Sequence, residues 1–171
     1  MLNTGIKPAA EQTVLRSIEI NDLPVTNPIV RLSDTYARLR ARSEEAELPH
    51  LHDFLQIVDE DLMHYCLILL PISGDPFLDF QVLHRGNRIP GSDLSAFKYG
   101  EVYTEHILST FANERLLELA SCLALKSCRF SATLSARQSS LKISVYRAVL
   151  PVWLADHQIC GIILAIAPAV C

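Results

Sequence analysis

The sequence has little of what marks the most recognisable function classes. Its 6 glycines form no GxxxxGK[ST] pattern, so no P-loop phosphate cradle is encoded. It lacks an excess of positive charge: the formal net charge is −4, which argues against nucleic acid, whose phosphates demand a basic field. It lacks a long apolar run. The longest, ICGIILAIAPAV at 159–170, falls well short of the roughly 20 residues a bilayer-spanning helix needs. The opening MLNTGIKPAAEQ has no apolar core behind a basic end, so no signal peptide is expected and a cytoplasmic location is. The 5 cysteines, Cys66, Cys122, Cys128, Cys160 and Cys171, form no CxxC pair and read as reduced thiols. The 6 histidines form no HExxH or comparable ligand set, and no GxSxG elbow is present, so neither a metal centre nor an activated serine is expected.

What is present is core material. Hydrophobic residues make up 50% of the chain and charged residues 20%, the balance of a single folded domain rather than a membrane or disordered protein. Residues 1–31 carry Pro8, Pro24 and Pro28 and read as an arm, with VLRSIEI at 14–20 a short strand seeking a partner. Leu32, Tyr36, Leu39 and Ala46 form a thin apolar stripe on an otherwise charged helix over 33–46, suited to a partner helix or a sheet edge. LHDFLQIV at 51–58 fits a short helix. MHYCLILLP (63–71) and FLDFQVLHR (77–85) fit two strands of a hairpin, the second with Leu78, Phe80, Val82 and His84 on its core face. A long helix is expected from Thr104 to Lys126 on the repeat of Leu108, Ala112, Leu116, Leu119 and Leu123. Strands follow at 129–136, 141–154 and 158–168. The last is apolar almost throughout, as a central strand covered on both faces would be. Five strands in antiparallel hairpins, with helices on one face, make an α+β domain over 32–168 with an N-terminal helical extension.

Several stretches carry a resemblance. FQVLHRGNRI (80–89), GSDL (91–94), LPHLHDFLQIVD (48–59) and YRAVLPVW (146–153) followed by ICGIILAIAP (159–168) resemble elements of a branch of bacterial single-domain PAS proteins. The resemblance implies a five-stranded antiparallel sheet of order 2-1-5-4-3, with small helices and one long helix between its second and third strands. It also implies a stand-alone sensory or regulatory module in bacterial signalling that acts by small-ligand or protein-partner binding. In this sequence only Pro90 separates the RI element from GSDL, a shorter spacing than in that branch. Gly86 and Gly91 then read as turn glycines of positive φ, and Ser92 or Asp93 as a helix cap.

The cavity that such a fold implies would be lined by Cys66, Ile68, Phe80, Val82, Leu108, Phe111, Ala112 and Ala148. Tyr103, Tyr146 and Arg147 would be its polar anchors, and a small apolar or amphipathic molecule its ligand. Ordinary side-chain packing could equally fill that space. No cofactor is expected. Haem would need His106, at the start of the long helix, where a solvated histidine is the plainer reading. Flavin chemistry would need Cys128, whose SCRF context follows the long helix instead of preceding it. The stripe at Leu32, Tyr36, Leu39 and Ala46 points to a homodimer, with an unidentified protein partner for output. Two alternatives stand beside the sensory module. One is a cone-type hydratase or isomerase using His84 or His106 with a buried carboxylate; catalysis is not the expectation. The other is a ligand-free adaptor with Lys142, Ser144 and Tyr146 on an exposed sheet face.

Overall fold

A computed structural model describes residues 12–42, 47–72, 80–89, 112–137, 140–155 and 159–169. Among these residues six strands form one antiparallel sheet: β1 (Gln12–Ser17), β2 (Cys66–Pro71), β3 (Phe80–Arg85), β4 (Arg129–Arg137), β5 (Ser140–Ala155) and β6 (Ile159–Pro168), in the order β1-β4-β5-β6-β2-β3. Among the described residues there are four α-helices: α1 (Pro28–Arg42), α2 (Leu51–Ile57), α3 (Glu60–Met63) and α4 (Ala112–Leu125). The fold is α+β, with six strands where five were expected. The sixth is β1, from the expected arm. It pairs along the free edge of β4 from Gln12↔Ala136 to Ser17↔Ser131, covering an edge that would otherwise offer unpaired backbone groups.

Helix α1 starts earlier than its stripe suggests. Asn27 caps it by accepting the Ile29 amide at 3.0 Å, and Pro28 takes the first helical position, where its missing N–H costs nothing. Asn27 also donates to the Pro168 carbonyl at 3.2 Å, tying the start of α1 to the end of β6. The expected boundary at residue 31 therefore falls inside this helix. A short α3, missed in the sequence, forms because Asp59 accepts the Asp61 amide at 3.3 Å.

The helices occupy both faces of the sheet, not one. Alternate residues of the central strands serve two separate cores. On one side Cys66, Tyr146, Ala148, Leu150, Ile163 and Ala165 pack against Ile29, Leu32 and Tyr36 of α1, Phe54 of α2 and Leu62 of α3. On the other, Leu67, Leu69, Phe80, Val82, Val149, Ile162 and Leu164 pack against Leu119 and Cys122 of α4. The strand β6 is buried from Gly161 to Ala167 because both cores need it.

The opening of the β3 exit loop is fixed by close approach. Gly86 donates to the Cys66 carbonyl at 2.7 Å, and Arg88 donates to the His64 carbonyl at 2.8 Å. A Cβ on Gly86 would run into the His64 carbonyl and stand 2.7 Å from the Met63 carbonyl oxygen. Space is what demands glycine there; a left-handed backbone is not involved. Gly91, Ser92 and Asp93 lie outside the described residues.

Candidate functional site

The expected cavity residues do not surround one space. Phe80 and Val82 face α4, whereas Cys66, Tyr146 and Ala148 face α1 across the thickness of the sheet. Ile68 is buried and alternates with Leu67 and Leu69, so it points to the α1 side. Ala112 opens α4, and Tyr103, Leu108, Phe111 and His106 lie outside the described residues. A bulge explains the one misplaced side chain of β3. Ile68 pairs with His84 and Leu69 with Val82, so Leu83 is the extra residue and His84 turns to the face opposite Val82. There a ring nitrogen of His84 lies 3.1 Å from the Met63 carbonyl oxygen. The stripe of α1 is used within the chain: Leu32 and Tyr36 are buried against the sheet, Leu39 is half-buried, and Ala46 lies outside the described residues. Tyr146, expected on an exposed face in the adaptor reading, is buried under α1.

The α4 side holds the polar residues that require an explanation. Ser17 of β1 pairs with Ser131 of β4, and Ser131 with Arg147 of β5, so the three stand in one row across the sheet. Directly paired residues in an antiparallel sheet project to the same face. Arg147 is only 4% exposed. Its Nε lies 3.5 Å from Oε2 of Glu118 on α4, and Ser131 donates to Oε1 of the same carboxylate at 3.3 Å. Nη1 and Nη2 of Arg147 have no hydrogen-bond partner among the described residues, and Nε has only that long ion pair. The Nε of Arg129, at the start of β4, is also buried without a partner among them.

A groove of about 350 Å³ runs beside this cluster. Glu114, Leu117, Glu118 and Ser121 of α4 form one wall, and Ser17, Arg129, Phe130 and Ser131 of the sheet edge form the other. Arg147 is not part of the lining but is ion-paired with Glu118, which is. Arg147 was legible only as a possible polar anchor of the cavity that the resemblance implies. Its partners Glu118, Ser131 and Arg129 were not. The available signal was Glu118 interrupting the apolar repeat of α4 next to Leu119.

A second pocket, about 290 Å³, lies on the α1 side between Tyr36, Ala37, Cys128 and Leu150. The Tyr36 hydroxyl donates to the Pro151 carbonyl at 2.6 Å. Burial pushes the Tyr36 hydroxyl and the Cys128 thiol above their ordinary pKa values, the former helped by the neighbouring Cys128. Burial likewise raises Cys122 and Cys160 and pushes Cys66 up to about 12. These thiols are neutral near pH 7 and poor nucleophiles. No cluster of three metal-ligating side chains occurs among the described residues. No helix among them is long and apolar enough to cross a membrane.

Comparison with protein-family models, with curated proteins and with solved structures finds no match to this chain.

Proposed function

We propose that the chain is a PAS-like sensory or regulatory module that works by binding a small molecule at the α4 side of its sheet. The observation that carries this reading is the strand order. Counted from β2 onward, the neighbours β3-β2-β6-β5-β4 read 2-1-5-4-3, the order the resemblance implies, and α4 lies between the second and third of those strands in the chain. In this reading β1 extends the sheet beyond its third PAS-type strand, and α1 to α3 form an N-terminal extension on the opposite face. The α4 side is the receiving side because it carries buried charge that packing alone does not use. The hydratase or isomerase alternative requires His84 or His106 beside a buried carboxylate. His84 meets a backbone carbonyl instead.

A thermal-shift screen of small metabolites tests the proposal. A ligand at a hundred times its Kd stabilises the fold by about 2.7 kcal/mol, which raises Tm by several degrees in a domain of this size. A screen in which no small molecule moves Tm, on protein that carries no bound molecule, contradicts it.

A further inference from the structure

The groove beside α4 carries charge of both signs. Glu114 and Glu118 are four residues apart on α4 and so share a face of that helix. Arg129 stands opposite on β4, and Arg147 stands behind Glu118 on β5. The lining thus carries two carboxylates and one guanidinium, and Ser17, Ser121 and Ser131 add three hydroxyls. Leu117 and Phe130 supply the apolar part of the lining, so a ligand charged at one end with both signs can also lay a short apolar side chain there.

The Glu118–Arg147 pair is a poor stabilising device. It is long, it uses one guanidinium nitrogen, and it leaves the rest of a buried Arg147 without partners among the described residues. A buried ion pair with uncompensated donors gains less than an apolar pair of the same volume would. What the pair does achieve is to hold the Glu118 carboxylate, with Ser131 on its other oxygen, in the helix wall of the groove. The acidic wall is thereby fixed on the helix and the basic wall on the sheet.

We infer that this groove takes a small zwitterion of the amino-acid class. Its ammonium faces Glu114 and Glu118 on α4, and its carboxylate faces Arg129 and the serine hydroxyls of the sheet edge. Arg147 is a positioning residue: it acts through Glu118. This inference rests on the small-molecule reading above and names the ligand class for it.

The test is calorimetric titration of the full chain with each of the common amino acids, with propionate and propylamine as single-charge probes. The result expected is one-to-one binding of at least one amino acid, with neither single-charge probe binding comparably. Arg129→Gln should weaken that binding about tenfold, the loss of one charge-assisted contact. Glu114→Gln, at an exposed position that folding tolerates, should weaken it roughly threefold. Propionate binding as tightly as the amino acid, or binding unmoved by both substitutions, overturns the inference. If no amino acid binds but another metabolite class raises Tm, the inference fails while the small-molecule reading stands. If nothing binds at all, both fail.

Discussion

Burial sets the chemistry of the thiols. Cys66 sits among Ala148, Ala165 and Leu62 in the α1-side core, and exclusion of water pushes its pKa up to about 12 from an ordinary 9.0. The sign follows from linkage. A folded-state pKa above the unfolded one means the native chain holds its proton longer, so stability is complete below pH 9 and is lost as pH rises towards 12. Cys122, Cys128, Cys160 and Tyr36 shift in the same direction. Unfolding free energy should therefore be level between pH 7 and 8.5 and fall above pH 9, at up to ~1.4 kcal/mol per pH unit for each fully buried thiol. Urea titrations across that range check it, and a curve that stays flat to pH 11 contradicts it. The same burial should keep Cys66 and Cys122 from reacting with iodoacetamide at pH 8 until denaturant is added, a protection that peptide mapping reads directly. Gly86 is the other residue whose identity is dictated by its surroundings. Gly86→Ala should destabilise the fold by about 3 kcal/mol, because the colliding atoms are backbone carbonyls of His64 and Met63, which cannot swing aside.

At the scale of elements, the strands were largely legible in the sequence. Their alternation and β-branched content placed β4, β5 and β6 within a residue or two of where they lie. Two things were not legible. Periodicity gives an element two faces but does not say which partner covers which face, and β5 and β6 are apolar on both. The α1 stripe was thus free to read as a dimer contact, when Leu32 and Tyr36 are buried against the chain's own sheet. The start of α1 was misread for a local reason: Pro28 looked like arm composition, yet proline after asparagine is also how a helix begins. Asn27→Ala should cost about 1–2 kcal/mol, at the upper end because Asn27 also holds the Pro168 carbonyl. Chemical denaturation of that variant checks the figure, and Asn27→Asp, which keeps the cap and loses the Pro168 bond, separates the two contributions. The bulge at Leu83 belongs to the same class of hidden feature. A single extra residue reverses the facing of His84, and nothing in FQVLHR marks where it falls.

For the whole molecule, the sheet divides the interior into two cores with different characters. The α1 side packs apolar residues around Phe54, Ile29 and Leu150, with a pocket of about 290 Å³ beside Tyr36 and Cys128. The α4 side combines an apolar core with a buried Arg147–Glu118 pair and a groove open beside it. Of this candidate site the sequence disclosed one member, Arg147. The rest arises only when α4 is laid over β4 and β5, bringing together residues far apart in the chain. Buried guanidinium donors without partners among the described residues, next to a groove with charge on both walls, are what the small-molecule proposal rests on. The most direct test is native mass spectrometry of freshly purified protein beside its denatured mass. The account predicts an excess mass per chain that disappears on denaturation and is reduced in the Arg129→Gln variant. A bare chain mass from protein that also stays bare after incubation with amino acids and other small metabolites would contradict it.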